Sequence, residues 1–200
     1  MSRKKTPVVL VSKDELSWKR EVLRQSFHLV LGFFLSGLLF FTNLNFFRIA
    51  LLVLFIFGIF LVFVARSRVF SPLNQLLDLV QRKNERVPGQ SAFMFVLGAL
   101  IPSFLFSNPF HVFLGVFALT WQDGFSTLFG VRFGKTKIFP SKSLEGSLGG
   151  LVACTLGLSI FLPFQQAFIL SLVATVVETL PVDDSLSIPF VVAFLAPFLV

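Results

Sequence analysis

Long apolar stretches alternate with short polar segments along this chain. Their lengths and helical periodicity predict seven membrane-spanning helices, near residues 27–41, 46–65, 92–107, 109–130, 146–163, 165–180 and 188–200. Several of these stretches are shorter than the roughly 20 residues that cross a bilayer without tilt. The chain is therefore predicted to be an all-α, polytopic integral membrane protein, with residues 1–200 forming a single membrane-embedded domain.

Three polar segments define the predicted cytoplasmic side. Residues 1–24 are basic and are expected to include a short amphipathic helix at the membrane surface, 66–91 carry leucines at helical spacing, and 131–145 follow the fourth span. These segments hold seven, five and four Lys or Arg residues, whereas the remaining loops hold only Arg48. Because Lys and Arg concentrate in cytoplasmic loops, the N-terminus is predicted to lie in the cytoplasm.

The composition agrees with this pattern. The chain is 55% hydrophobic and 14% charged, whereas soluble domains average about 25% charged residues. The excess of 17 Lys and Arg over 10 Asp and Glu fits basic cytoplasmic loops, so nucleic acid is not expected as a partner. A single cysteine, Cys154, excludes an internal disulfide and a thiolate metal cluster.

Charge, glycine and hydroxyl groups concentrate between residues 121 and 150. Asp123 lies in an apolar helical pattern, with Gly130 and Gly134 on the same face. An acid at the centre of a membrane helix costs about 2.5–3.5 kcal/mol, so we expect a functional role, an ion pair with Arg132, or a position at the membrane boundary. The spacing of Gly130 and Gly134 is also typical of close helix contact in membranes.

The cations that follow predict an anion site. Arg132, Lys135 and Lys142 lie beyond the glycines, and Ser143 is predicted to cap the next helix, with Gly146 in its first turn. A helix start offers free backbone N–H groups. Beside several cations, these groups predict a site for phosphate oxygens.

A second polar cluster precedes the last span. Glu178, Asp183 and Asp184 surround the helix-breaking Pro181 with no cation nearby in the sequence. The predicted topology places them on the same membrane face as Asp123, so the two clusters are expected to share one site. Mg²⁺ is commonly held by one or two carboxylates and nucleotide phosphates. The alternative interpretation of this cluster is a solvated acidic loop.

Arg24 and His28 lie on one face of the first predicted helix. His28 is expected either to orient a substrate or transfer a proton, or to be a hydrogen-bonded structural residue. P-loop, H-E-x-x-H and G-x-S-x-G patterns do not occur in the sequence. P-loop kinases, zinc metalloproteases of that type and serine hydrolases are therefore not supported.

The two polar clusters resemble a known signature. The string Asp123-x-x-Ser126-x-x-x-Gly130-x-Arg132-x-Gly134-Lys135, followed by Lys142-Ser143-Leu144-Glu145-Gly146, resembles that of the membrane CTP-dependent lipid kinases. These include dolichol kinase, phytol kinase and yeast-type diacylglycerol kinase, and the related phosphatidate cytidylyltransferases carry a similar string. The later string Glu178-x-x-Pro181-x-Asp183-Asp184-Ser185-Leu186-x-Ile188-Pro189 resembles the kinases, and the His-Gly-Gly and Asp-Arg-x-Asp-Ser motifs of the cytidylyltransferases do not occur.

The resemblance extends to Arg24 and His28, which match an R-K-x-x-H pattern, and to Gly89 and Gly98 before and within the third span. The chain departs from the family pattern in three places. Gln25 replaces the usual lysine, Gln122 the usual glycine and Ser185 the usual asparagine. The last change removes an amide that could bind a metal or substrate.

The resemblance implies a kinase that transfers the γ-phosphoryl group of CTP, with Mg²⁺, to the hydroxyl of a lipid alcohol in the bilayer. The implied acceptors are a polyprenol or dolichol, phytol, or diacylglycerol. Nucleotide would be bound by Gly130, Arg132, Gly134, Lys135, Lys142, Ser143 and Gly146, and metal by Asp123, Glu178, Asp183 and Asp184. The implied catalytic residues are Asp123, Lys142, Glu145, Asp183 and Asp184, with Glu145 or one of the paired aspartates accepting the hydroxyl proton and with Arg24 and His28 positioning substrate.

Two other functions stay open at this point. The first is a phosphatidate cytidylyltransferase, which would release pyrophosphate. The second is a non-enzymatic transporter in which the intramembrane acid carries protons. The expected location is the cytoplasmic membrane of a bacterium or archaeon, with the active site facing the cytoplasm, and the oligomeric state is left open.

Overall fold

A computed structural model describes residues 13–67, 89–139 and 142–200. Within these ranges the chain forms seven helices and one short antiparallel pair of strands. The helices are α1 (Lys13–Phe41), α2 (Leu44–Ser67), α3 (Gln90–Leu105), α4 (Pro109–Phe133), α5 (Leu144–Leu158), α6 (Phe164–Thr179) and α7 (Asp184–Leu199). The strands are β1 (Lys137–Phe139) and β2 (Lys142–Ser143). The predicted helical class is confirmed, and the strand pair is an addition to it.

Among the described residues, three helices are long and apolar enough to cross a membrane: α1 over Glu21–Phe41, α2 over Leu44–Val64, and α4 over its full length. These helices are consistent with an integral membrane protein. The other four helices are apolar but shorter. At 15 or 16 residues each, they extend about 24 Å at 1.5 Å per residue. That all seven helices cross the bilayer, and that the N-terminus is cytoplasmic, remain predictions.

Several element boundaries differ from those expected from the sequence. Because α1 already begins at Lys13, residues 13–24 of the predicted N-terminal segment are continuous with the first long helix. The segment 131–145 is also shorter as a loop, since α4 continues to Phe133 and α5 begins at Leu144. Helices extend past their apolar stretches here because backbone hydrogen bonding does not require apolar side chains. Residues 1–12 and the amphipathic stretch within 66–91 lie outside the described residues.

Helix α4 occupies the centre of the fold. It packs against α1, α5 and α7, and every residue from 112 to 120 is buried. A helix that is apolar on all sides belongs in a core, and α4 has this pattern up to Thr120. The first acid of α4 is Asp123, which follows Gln122, so the site described below lies near one end of the central helix.

The two glycines that resemble the family pattern before and within the third span have different structural roles. Gly89 precedes α3 in the left-handed conformation, with φ 72° and ψ 19°, which glycine adopts without strain. Gly98 lies within α3 against the main chain of Ser185, where a β-carbon would overlap the Ser185 carbonyl oxygen. Gly98 therefore sets the distance between α3 and the start of α7.

Replacing Gly98 by alanine is expected to lower the stability of the protein by about 1–3 kcal/mol, because the added methyl group forces α3 away from α7. The measurement is thermal unfolding of the detergent-purified protein followed by circular dichroism. Gly37→Ala is the matched control, since nothing lies within 4 Å of a β-carbon built at Gly37 in α1. That variant should be unchanged or more stable by up to about 1 kcal/mol. Equal midpoints for both variants would contradict the close contact.

Candidate active site

A polar cavity of about 450 Å³ lies where the end of α4, the strand pair, and the starts of α5 and α7 meet the end of α6. It is lined by Glu21, Asp123, Ser126, Thr127, Gly130, Val131, Gly134, Lys137, Lys142, Ser143, Gly146, Ser147, Glu178 and Asp184. The two polar clusters, far apart in sequence, thus contribute to one cavity. Eight of the residues predicted from sequence line it: Asp123, Gly130, Gly134, Lys142, Ser143, Gly146, Glu178 and Asp184.

The glycines of the cavity wall bring α4 and α5 together. A β-carbon at Gly146 would lie 2.7 Å from the carbonyl oxygen of Ser126 and 2.9 Å from the α-carbon of Gly130. A β-carbon at Gly130 would in turn lie 3.2 Å from the Ser143 hydroxyl oxygen. These glycines therefore make the close helix contact that their spacing indicates. Their place on the cavity wall also leaves backbone exposed to a ligand.

The start of α5 is more fully hydrogen-bonded than the sequence suggested. Ser143 is the N-cap as predicted, and its hydroxyl accepts a hydrogen bond from the Gly146 N–H at 3.2 Å. The Leu144 N–H donates to the carbonyl of Thr136 at 2.9 Å, which joins the loop to the helix. Because two of the first N–H groups already have partners, side-chain cations must supply most of the attraction for an anion.

Lys142 is held on the cavity wall by two oxygen groups. Its Nζ lies 2.7 Å and 2.8 Å from the two carboxylate oxygens of Asp184. It also donates to the main-chain carbonyl of Glu178 at the end of α6. The lysine of one polar cluster is therefore paired with the acids of the other. In the sequence these acids have no cation nearby, whereas in the folded chain Lys142 lies beside Asp184.

The acids of the cavity fit a magnesium ion that is completed by substrate. Asp123, Glu178 and Asp184 line the same space, but among the described residues no three His, Cys, Asp or Glu side chains form a metal cluster by themselves. Asp184 is engaged by Lys142, and Asp123 has no ion pair within the described ranges. One or two carboxylates are what Mg²⁺ takes from a protein when phosphates provide further ligands. The predicted ion pair between Asp123 and Arg132 is not formed.

Two predicted cations lie away from the cavity. Arg132 is exposed at the end of α4, and its guanidinium lies 6.0 Å from the centre of the Trp18 ring. Lys135 is exposed in the loop before β1. Lys137 lines the cavity instead, although it was not among the predicted site residues. Charge alone could not distinguish Lys137 from Lys135, because the path of the strand pair decides which of the two side chains faces the cavity.

Two predicted acids also lie outside the cavity lining. Asp183 is an exposed N-cap of α7, where its carboxylate accepts from the Ser185 N–H at 3.0 Å. The Glu145 carboxylate accepts hydrogen bonds from the N–H groups of Lys135 at 3.0 Å and Thr136 at 3.1 Å. The Asp183 contact lies within one helix cap, whereas the Glu145 contacts join the loop before β1 to α5. Of the paired aspartates, Asp184 is the one that lines the cavity.

Glu145 fastens the loop before β1 to the start of α5. Hydrogen bonding from backbone N–H groups, its own and those of Lys135 and Thr136, lowers the pKa of the Glu145 carboxyl from its ordinary value. A lowered pKa means that the ionised carboxylate stabilises the fold above its ordinary pKa. This contribution is lost as the pH falls through the lowered pKa.

Glu145→Gln is therefore expected to unfold at a lower temperature than the parent protein near pH 7, with the difference disappearing in acid below the pKa of Glu145. The measurement is the unfolding midpoint of both proteins across a pH series. Phosphoryl transfer should fall less than about tenfold, whereas removal of a general base costs about 10²–10⁴-fold. A loss in that larger range, with no change in stability, would support the catalytic role predicted from sequence.

Arg24 and His28 are both buried side chains of α1. Arg24 is buried and pairs with Glu21, which lines the cavity. His28 is buried with its ring centre 5.7 Å from that of Phe95 in α3. Neither lines the cavity, so a positioning role for Arg24 would act through Glu21. Substrate positioning by both residues remains a prediction.

The remaining cavity residues could have been found in part from sequence. Ser147 lies one helical turn beyond Ser143, and its hydroxyl is buried without a hydrogen-bond partner in the described part of the chain. Thr127 shares a helical face with Asp123, which indicated its place. Gln122, directly before Asp123, does not line the cavity but contacts one of its acids, Glu178, through its side chain. No sequence pattern connects residues 122 and 178, so this contact could be found only from the folded structure.

With this geometry, the comparison with known proteins identifies the family. The sequence profile of the cytidylyltransferase family matches residues 8–198, and the chain belongs to that family. The uncharacterized protein MJ1137 of Methanocaldococcus jannaschii is 33% identical over 185 residues, which cover 88% of this chain and 92% of that protein. No solved structure matches the chain. Family membership supports a nucleotide-using enzyme, and the family includes members similar to phosphatidate cytidylyltransferases.

Proposed function

We propose that this protein is a CTP-dependent kinase that phosphorylates the hydroxyl group of a membrane lipid alcohol. The observation that carries the proposal is the single cavity that combines Lys137 and Lys142 with Asp123, Glu178 and Asp184. Phosphoryl transfer depends mainly on positioning and on neutralising the charge of the transferred group. A cavity with cations and acids together, at the edge of an apolar helical bundle, supports that chemistry.

Lys142 would bind the phosphate that is transferred. Its Nζ already lies among oxygen atoms, those of Asp184 and the Glu178 carbonyl, and a phosphate oxygen would replace one of these partners. Lys137 on the opposite strand would provide a second positive charge. As point charges on flexible stems, lysines can follow the phosphate between the ground state and the transition state.

The carboxylates of the cavity divide into two tasks. Asp123 and Glu178 would hold Mg²⁺, which when bound neutralises phosphate charge and fixes the geometry of the nucleotide. Asp184, once Lys142 turns to phosphate, would accept the proton of the lipid hydroxyl. The lipid oxygen then forms the new bond to the γ-phosphorus, and CDP leaves with the electrons of the broken bond.

A cytidylyltransferase is the second candidate, and the family match favours it. The same cavity would bind CTP, but phosphatidate would attack the α-phosphorus and pyrophosphate would leave. The sequence around Pro181 favours the kinase, because Glu178, Asp183 and Asp184 follow the kinase pattern there. The kinase would transfer the γ-phosphoryl group of CTP to the lipid, whereas the cytidylyltransferase would transfer the cytidylyl group with the α-phosphorus.

The experiment incubates detergent-purified protein with Mg²⁺ and CTP that carries its label on either the α- or the γ-phosphate. Polyprenol, phytol, diacylglycerol and phosphatidate are supplied separately. Label from the γ-position in a phosphorylated alcohol is the expected result. Label from the α-position in a cytidine-containing lipid would assign the cytidylyltransferase. If no lipid is labelled and CTP with Mg²⁺ does not raise the unfolding temperature, both enzymatic proposals fail and the transporter is favoured.

A further inference from the structure

Gln122 is a fully buried glutamine that binds one acid of the candidate site. Gln122 is 0% exposed, and Glu178 is only 5% exposed. The Gln122 Nε2 donates to the Glu178 Oε2 at 2.7 Å. Glu178 also lines the cavity and accepts Lys142 at its main-chain carbonyl. Gln122 itself does not line the cavity, so it contacts the site from behind.

The fold makes room for this amide. A β-carbon at Gly150 in α5 would lie 2.6 Å from the Gln122 Nε2 and 3.0 Å from its Cδ. The amide is therefore enclosed between the glycine of α5 and the carboxylate of α6. It has little freedom to turn, and it meets the Glu178 carboxylate from one side, while the Ser126 side chain is a second hydrogen-bond partner of that carboxylate. The Gln122 Oε1 has no hydrogen-bond partner in the part of the chain that is described.

A neutral hydrogen-bond donor is suited to a carboxylate that must remain available to bind a metal ion. A buried carboxylate without a donor is costly, and a cation would satisfy it but also cancel its charge. An amide N–H satisfies one carboxylate oxygen and leaves the negative charge for another partner. Hydrogen-bonding partners behind a metal ligand orient the ligand, and their removal commonly costs 10–100-fold in metal affinity.

We propose that Gln122 is a positioning residue that holds the Glu178 carboxylate in the direction required to bind a divalent cation together with Asp123. This inference rests on the proposed function, because that function supplies the nucleotide that would bind together with the cation. The kinase resemblance assigns Gln122 no role, because glycine is usual at this position. The role follows instead from the contact, the burial and the enclosure of the amide in this chain.

The structure offers a matched control. Gln25 is also 0% exposed, and its Nε2 donates at 2.8 Å, but the acceptor is the main-chain carbonyl of Asp123. Gln25→Leu and Gln122→Leu therefore remove the same group from equally buried positions. Only the second exchange removes a hydrogen bond to a carboxylate. A purely structural role for both glutamines predicts equal effects.

The test titrates the detergent-purified full-length proteins with Mn²⁺ and follows the electron paramagnetic resonance signal of the free ion. Gln122→Leu is expected to bind Mn²⁺ about 10–100-fold more weakly than the parent protein, whereas Gln25→Leu should lose less than about tenfold, the low end of that range, because its acceptor is a main-chain carbonyl and not a carboxylate. In a Glu178→Gln background, Gln122→Leu should cause no further loss, because the two residues act through one contact. Gly150→Ala, which displaces the amide, is the second variant if Gln122→Leu does not fold.

Equal Mn²⁺ binding by the parent protein and Gln122→Leu would overturn the proposal, as would equal losses for the two leucine variants. Failure of the parent protein to bind Mn²⁺ would overturn it as well. A parent protein that binds Mn²⁺ with the expected dependence on Gln122, yet phosphorylates no lipid, would refute the kinase and leave the positioning role in place.

Discussion

Asp123→Asn should lower the rate of phosphoryl transfer by about 10³-fold or more, since electrostatic groups at a transition state contribute on this scale. Asp123 lines the cavity near the end of the central helix and is not engaged by Lys142, which pairs with Asp184. Asparagine keeps the shape of the side chain but removes the charge that would hold Mg²⁺. The measurement is the initial rate of label transfer from γ-labelled CTP to the accepted lipid alcohol.

The same exchange at Asp183 is the comparison for this prediction. Asp183 is exposed, lies outside the cavity lining and caps α7, and asparagine caps a helix about as well as aspartate. Asp183→Asn should therefore lose less than about tenfold in rate, well below the cost of a catalytic group. Equal losses at both positions would return Asp183 to the site, as the sequence alone predicted. Full activity of Asp123→Asn would refute the site.

Lys142→Met is expected to have the second-largest effect, lowering kcat/KM for CTP by about 10²–10³-fold through loss of a charge that stabilises the transferred phosphate. The exchange also leaves the Asp184 carboxylate without its ammonium partner. Stability should then fall by about 1–3 kcal/mol, the usual cost of a part-buried group that loses its hydrogen bond. Steady-state kinetics and thermal unfolding measure the two effects separately.

Lys135→Met removes the same charge from an exposed position outside the cavity, so it controls for the change in net charge. It should change kcat/KM by less than about threefold, because an exposed charge in water contributes little at a distance. The ability of CTP with Mg²⁺ to raise the unfolding temperature should survive in this variant and be reduced in Lys142→Met. Similar kinetics for the two variants would contradict the assignment of Lys142.

Local chemistry was predictable from the sequence. Ser143 caps α5 because a hydroxyl followed by an apolar helical pattern is a local signal that needs no other part of the chain. The positions of the helices followed from apolar length and period, and the meeting of the two polar clusters followed from the alternation of basic loops. Each of these inferences depends on features repeated along the chain or confined to one turn.

The direction of individual side chains was not predictable in the same way. Arg132, Lys135 and Lys137 have similar sequence surroundings, yet only Lys137 lines the cavity, because the strand pair and the end of α4 set the orientation of each. Glu145 was predicted as a catalytic acid, and no sequence pattern indicated its hydrogen bonds to the loop before β1. Contacts of this kind join segments that no periodicity connects, and they emerge only from the packing of the whole chain.

The pairing of Lys142 with oxygens of the protein has a consequence for selectivity among anions. Any phosphate that enters must compete with the Asp184 carboxylate and with the carbonyl end of α6, which carries part of that helix dipole. We expect a lone inorganic phosphate to compete poorly, whereas a nucleotide whose metal ion is held by Asp123 and Glu178 would keep its phosphates beside Lys142. After transfer, the same oxygens can recapture the ammonium group and so assist the departure of the products.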